Sequence, residues 1–274
     1  MPNLRISSYN AADAAVIAAS ASAGAMLPAA LQTSAKSDVW RCPSVAGSLT
    51  LTWQSGVWLA CVAAAFSNLS SGALMRARVY ANTADAVPVL DTGSQLACPP
   101  LPIEKTDFGR DPLADYAYAD GEAVGVLWFE PTFGRKLVID FYDAYGDGFI
   151  DIGRLWAGDY WESESNFDRG STIRIADTSK SYRTDGGDSQ TSVGVRYRKL
   201  SLSLSLMGMR DRDKVWKILQ KNGTSQPMLI SCYPGAADTM YEQMCTMICK
   251  LTNEANISSP FFSRFNVPLE FEEV

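Results

Sequence analysis

Between Lys136 and Trp161 the chain reads KLVIDFYDAYGDGFIDIGRLWAGDYW, an apolar run, a short acidic turn and a second apolar run. Leu137 to Tyr142 carries apolar residues on both faces, the pattern of a strand inside a packed sandwich. Gly146-Asp147-Gly148 supplies two residues that accept positive φ and a carboxylate that can bond nearby backbone N–H groups, so a β-hairpin is expected here. Polarity shifts at Glu162-Ser-Glu-Ser, which places a domain boundary between 1–161 and 162–274.

The same turn can be tested as a calcium loop. Asp143, Asp147, Gly148 and Asp151 occupy the first, fifth, sixth and ninth positions of an EF-hand, but Tyr145 stands at the third and Arg154 at the twelfth. An arginine there puts a cation where the metal needs a bidentate carboxylate. The turn is therefore read as a hydrogen-bonded one, and no metal or cofactor is expected.

The 274 residues contain no histidine, which removes Ser-His-Asp and Cys-His pairs, His-ligated zinc and an imidazole acid or base near neutral pH. Gly187-Asp188-Ser189 thus reads as a loop, not as a nucleophile. A net charge of −6 with no cationic run argues against specific nucleic-acid binding. The cysteines at 42, 61, 98, 232, 245 and 249 form no CxxC pair and read as small buried hydrophobes. Ala14 to Ala35 is mostly Ala and Ser, is broken by Gly24 and Pro28, and follows a single basic residue, Arg5. It makes a poor signal or membrane span, so folded chain and cytoplasmic synthesis are expected.

The first region reads as short strands. Leu49, Leu51 and Trp53 alternate with Thr50 and Thr52, Trp58 to Phe66 is a continuous apolar run expected to lie centrally and buried, and Met75, Ala77 and Val79 alternate with Arg76 and Arg78. Prolines 99, 100, 102 and 112 mark a long surface excursion before Val124 to Phe129 restores a strand. The order LPAALQ, VWR, LTLTW, AAFSNLSSGALMRARVYA and finally the 136–161 stretch resembles the discoidin-like, galactose-binding-type jelly roll found in phage tail-tip proteins, over roughly Leu4 to Trp161.

In the second region, Val193, Val195 and Tyr197 share one parity and Leu200, Leu202, Leu204 and Leu206 the other, so a bulge near Lys199 is expected to return both sets to the core. Asp211 to Asn222 is a helix with Val215, Ile218 and Leu219 on one face, Trp216 beside them and Gly223 as cap. Met228 to Tyr233, Met244 to Leu251 and Val267 to Phe271 complete a small sheet. The order RYRKLSLSLSL, helix, QPMLISCYP, strand and SPFFSRFNVPLEFEEV is similar to the small β-domain of phage distal tail proteins, without the long extended arm.

The expected fold is therefore mainly β, a jelly-roll sandwich followed by a smaller β-domain, a twisted sheet or split barrel, with one helix. The two resemblances imply a non-enzymatic virion protein that forms a ring of its own copies, hexameric or trimeric, and meets the tail tube, hub and tape measure. Candidate subunit contacts are Pro99, Pro100, Pro102 and Pro112 in one loop and Tyr182 and Arg183 in the loop Ser163 to Gln190. The alternative function is recognition of host glycans, with Trp156, Tyr160 and Trp161 as the stacking aromatics. A glycosidase built on Asp159, Glu162 and Glu164 is the least favoured, because 30 acidic residues group by chance and these sit in a linker.

Overall fold

A computed structural model describes residues 2–99, 124–236 and 239–274 of the chain. Three of the four prolines singled out above as candidate contacts, Pro100, Pro102 and Pro112, lie outside the described residues. The chain divides into two compact units, Met1–Glu162 with Ser231–Met247, and Ser163–Ile230 with Ile248–Val274. The break at Glu162 lies where polarity shifts, but 231–247 belongs to the first unit, held there in part by the Gln243 amide donating to the Val124 carbonyl (3.0 Å).

The first unit contains β1 (Arg5–Ser7), β2 (Val16–Ala19), β3 (Trp40–Cys42), β4 (Ala46–Ser67), β5 (Leu74–Tyr80), β6 (Leu90–Asp91), β7 (Gln95–Leu96), β8 (Gly125–Tyr142), β9 (Ile150–Gly158) and β10 (Trp161–Glu162). Leu49 to Trp53 and Trp58 to Phe66 are two parts of one strand, β4, and the strands anticipated at 124–129 and 137–142 are both β8. Straight, β4 would span about 70 Å, against a diameter of roughly 40 Å for a unit of this size. It must bend. The β4–β8 ladder shifts register between Thr52 and Val57 and again between Leu59 and Cys61.

Before the bend, β4 has β2 on its free side; after it, β9 takes that place. The two-stranded ribbon thus belongs to two layers. One layer runs β2, β4, β8, β5, β6 and the other β8, β4, β9, β3. Leu49, Leu51, Met75, Ile139 and Phe141 from the first layer pack with Leu59, Val62, Ala64, Leu127 and Leu155 from the second in one buried cluster. This is a β-sandwich made by folding a ribbon over, and glycines allow the fold. A Cβ on Gly134 would come within 2.5 Å of Val79 Cγ1 and 2.7 Å of the Tyr80 carbonyl, and one on Gly56 would run into the Phe133 ring.

Two expectations change. β8 and β9 are not a hairpin, because both pair with β4 and 143–149 crosses between the layers. Leu137 to Tyr142 buries one face only, with Leu137, Ile139 and Phe141 inward and Tyr142 exposed, since a ribbon that forms an outer layer keeps a solvent face. The acidic residues of the crossing have separate tasks. Buried Asp143 accepts from Ser70 N (2.7 Å), Ser70 Oγ (2.5 Å) and Tyr145 N (3.2 Å), whereas Asp151 forms a two-pronged pair with Arg41. Arg154, in the place of the twelfth EF-hand ligand, donates to the Thr33 carbonyl (2.9 Å) and to Asp13 (2.7 Å).

The second unit holds β11 (Thr172–Asp177), β12 (Lys180–Arg183), β13 (Ser189–Ser192), β14 (Arg196–Met207), α1 (Met209–Asn222), β15 (Met228–Ser231), α2 (Thr239–Met244), β16 (Thr246–Leu251), β17 (Ser258–Phe261) and β18 (Arg264–Glu273), with α2 and the ends of β15 and β16 falling in the first. The strand order is β15, β16, β18, β14, β11, with β17 beside β18. Leu200, Leu202 and Leu204 face Phe271, Leu269 and Val267 in register, and all six are buried. α1 ends at Gly223, whose φ of 53° suits glycine and whose N–H closes on the Leu219 carbonyl. Trp216 lies on the solvent side of α1 and does not widen its buried stripe.

The register shift in β14 falls between Leu204 and Met207, not near Lys199. Met207 is thereby buried and Leu206 turned outward with φ of 57°. Val193 and Val195 stay exposed because the chain has left the sheet at that point.

Candidate interaction surfaces

Trp156, Tyr160 and Trp161 do not form a stacking platform. Trp156 is fully buried and donates its indole N–H to Ser7 Oγ (2.9 Å), which itself donates to the Asp159 carbonyl (2.7 Å). Its ring has no face left for a ligand. Tyr160 stands edge-on to Trp128, with ring centroids 5.2 Å apart, and the Arg5 guanidinium lies 4.4 Å from the Tyr160 centroid. Trp161 is half-buried in β10, opposite Ile6 of β1.

Glu162 closes this cluster by accepting from Arg5 Nε (2.8 Å) and Asn3 N (3.0 Å). Burial pushes its carboxyl up, but those two bonds outweigh burial and hold it below the usual glutamate range. Burial raises the Tyr160 phenol against the opposing charge of Arg5. The arrangement is an internal clamp joining the two ends of the first unit's main segment. A carboxylate held ionised by a guanidinium is unsuited to donate a proton as a general acid.

The exposed aromatics are elsewhere. Trp58 and Phe133 are opposite one another where the ribbon bends, 56% and 51% exposed, with ring centroids 5.5 Å apart. Trp58 reads as part of a buried run because nothing in its immediate neighbours announces the bend; Gly56 and Gly134 are the available signal.

In the second unit, Tyr182 and Arg183 lie on β12 within a long exposed hairpin. β11 pairs with β14 from Thr172 and Ser201 outward to Asp177 and Arg196, and β12 pairs with β13 from Lys180 and Ser192 to Arg183 and Ser189. Thr178 and Val195 bridge the two ladders (Thr178 N to the Val195 carbonyl, 3.1 Å; Val195 N to Thr178 Oγ1, 2.8 Å). β18 flanks β14 only from Lys199 inward. Arg198 is still tied to Glu273 of β18 through its backbone N–H and guanidinium, and beyond the Ile175–Arg198 pair the chain is a two-stranded ribbon whose register shifts between Asp177/Arg196 and Lys180/Ser192, at most roughly 35 Å long if fully extended.

The arm corrects the expectation that no such element exists. Its polar composition conceals it, for Ser163 to Gln190 has the look of a loop. Ile175, Val193 and Val195 on it are 72%, 85% and 69% exposed. Tyr182 donates to Gln190 Oε1 (2.7 Å) and Arg183 to the Gly187 carbonyl (3.1 Å), so both brace the arm itself. Pro99 is half-buried and follows the buried Ala97 and Cys98.

Burial and charge elsewhere offer little chemistry. All six cysteines are buried, and burial pushes the thiols of Cys61 and Cys98 up to about 12, so they are poor nucleophiles. Among the described residues no three of His, Cys, Asp and Glu are grouped as metal ligands, and no helix is long and apolar enough to cross a membrane.

No protein-family model matches the chain, and no curated protein matches it. Solved structures similar to it include CBM32 of AlyQ in complex with 4,5-unsaturated mannuronic acid, at 16% identity and a TM-score of 0.35 over 52% of this chain and 92% of that one. CpGH89CBM32-5 from Clostridium perfringens, in complex with GalNAc-beta-1,3-galactose, is 10% identical with a TM-score of 0.38 over 55% and 100%. A Streptococcus pneumoniae fucose binding module is 8% identical with a TM-score of 0.36 over 55% and 94%. Similarity this low decides nothing about what the chain binds.

Proposed function

We propose that the chain is a structural subunit of a phage tail tip, which assembles with its own copies through the second unit and carries the sandwich as an appended binding module. The observation that supports this reading is the arm. An isolated two-stranded ribbon is marginal in water, and three exposed β-branched side chains on it make a protein partner the economical explanation. A closed ring of copies needs a heterologous surface that repeats head to tail, and a protruding arm supplies one half of it. In this reading the protein is non-catalytic and resides in the virion.

Light scattering on the full chain over a hundredfold concentration range, with negative-stain imaging, is the test. A discrete multimer that loses its arm-dependent mass when 178–195 is replaced by a short Gly-Ser turn supports the proposal. A strict monomer at every concentration removes it.

Glycan recognition is the second reading, favoured by the exposed Trp58 and Phe133 pair, since aromatic faces stack on the apolar faces of sugar rings. It is compatible with the first. A glycan array on the full chain, repeated with Trp58→Ala, tests it: retained binding in the variant excludes this site.

A further inference from the structure

The sheet of the second unit has two unlike faces. Leu200, Leu202 and Leu204 of β14 with Val267, Leu269 and Phe271 of β18 form the buried one. Residues of the other parity meet solvent, and the register sets them in rows across the strands. Thr172, Ser201 and Glu270 make one row, extended by Thr252, whose N–H donates to the Glu270 carbonyl (2.9 Å). Arg174, Lys199, Glu272 and Lys250 make the next. Short hydroxyl side chains beside long charged ones leave a hollow of about 210 Å³, lined by Thr172, Arg174, Lys199, Ser201, Thr252 and Glu270.

Lys199 is taken up by Glu272 (2.8 Å). Arg174 and Glu270 are both exposed and form no ion pair among the described residues, and the Thr172 and Ser201 hydroxyls have no partner among them either. Around the hollow the strands turn three cations, Arg174, Lys199 and Lys250, and two carboxylates, Glu270 and Glu272, to this face, which leaves it at +1 in a chain of −6. Further along β14, Asp168 accepts from Ser205 and Arg264 donates to the Leu206 carbonyl (3.1 Å). We infer that the hollow is a binding site for an acidic sugar unit, with its carboxylate on Arg174 and its hydroxyls on Thr172, Ser201 and Glu270.

The chemistry of the lining selects this class. A guanidinium presents paired N–H donors that match a carboxylate. The Glu270 carboxylate accepts from sugar hydroxyls, and serine and threonine hydroxyls both donate and accept. Glu270 stands two strands from Arg174, about 10 Å across the sheet. An α-amino acid, with both charges on one carbon, cannot reach both. Inorganic phosphate would meet Glu270 as a like charge, and one unpaired arginine is too little for a nucleic-acid backbone. The hollow is smaller than the roughly 300 Å³ at which pockets for drug-sized ligands begin, so it suits a single ring. Phe271 faces the core and no other aromatic ring lines the hollow, so recognition rests on the carboxylate and not on stacking. The site is separate from Trp58 and Phe133, which belong to the first unit, and does not depend on assembly.

The test is saturation-transfer difference NMR on the full chain, titrated with the methyl glycosides of galacturonate, glucuronate and mannuronate and with neutral methyl galactoside. At least one uronide is expected to bind, at least tenfold more tightly than the galactoside. Arg174→Ala should weaken that uronide at least tenfold, to the level of the neutral sugar, and Arg174→Lys should recover part of the loss. Ser201→Tyr, which fills the hollow from an exposed strand position, should abolish binding without moving the circular dichroism spectrum. Trp58→Ala should leave uronide binding unchanged. Absence of binding by all three uronides, equal binding of charged and neutral sugars, or displacement of the uronide by equimolar acetate overturns the inference. Uronide binding that survives Arg174→Ala but is lost in Trp58→Ala overturns this site while leaving glycan recognition to the first unit.

Discussion

Replacing Arg154 by methionine should destabilise the first unit by about 3–4 kcal/mol. The guanidinium is nine-tenths buried, since its side chain is 10% exposed, and it joins β9 to the two short 3₁₀ turns at Ala11–Ala14 and Pro28–Gln32. Methionine fills similar volume but leaves the Thr33 carbonyl and, more weakly, the Leu31 carbonyl (3.4 Å) without a donor. A buried unpaired acceptor costs roughly 1–3 kcal/mol. Asp13 also loses its counter-charge; its carboxyl is already raised by burial, which Arg154 opposes. Its side chain is 41% exposed, so water compensates it in part and that share is small, about 1 kcal/mol. Asp13→Asn should accordingly cost about 1 kcal/mol, and Arg154→Lys an intermediate amount, because one ammonium cannot span both acceptors. Urea unfolding followed by tryptophan fluorescence is the assay, since six of the seven tryptophans lie between 40 and 161 and only Trp216 reports the other unit. The reasoning fails if Arg154→Met lies within 1 kcal/mol of the parent, or if Asp13→Asn costs as much as Arg154→Met.

Gly134→Ala should cost ~2–3 kcal/mol or more by overpacking, because the added methyl meets the Tyr80 backbone carbonyl, which cannot swing away; a thermal midpoint unchanged from the parent would contradict the bend geometry. Asp143→Ala should cost about 2–4 kcal/mol through the loss of acceptors for Ser70 and Tyr145, read from the same urea curves, and calcium should not restore it. Glu242 has its carboxyl raised above 4.5 by burial, against the opposing bonds from the Gly235 and Ala236 N–H groups. Its stabilising contribution is full below that value and is lost as pH rises through the folded-state pKa, so Glu242→Gln should flatten the stability profile on that side; an unchanged slope would refute the burial argument.

Alternation carried most of the fold. Leu49-Thr-Leu-Thr-Trp53, Met75-Arg-Ala-Arg-Val79 and Leu200-Ser-Leu-Ser-Leu204 are half-buried strands as their period of two requires, and the helix ending at Gly223 follows from its face and its cap. Pairing was harder to read, because local pattern does not say which strand lies beside which. The apolar runs around Asp143 to Phe149 suit a hairpin equally well, and only the longer-range partner β4 separates them. Trp156 and Trp58 show the same limit for sites: both are tryptophans in apolar strands, one sealed over Ser7 and one left outside by a bend two residues after Gly56. The arm was hidden because exposed strands need no apolar face, and its serines, threonines and glycines imitate a loop.

The return of Ser231–Met247 to the first unit fixes an order of events during synthesis. The ribosome releases the whole of 163–230 before the piece that brings Gln243 to the Val124 carbonyl exists. The earlier unit therefore waits, open at that place, while most of its neighbour is made, and the two complete their folding interleaved rather than in turn. A fragment ending at Glu162, natural though that cut looks on paper, would be made without a part of its own structure.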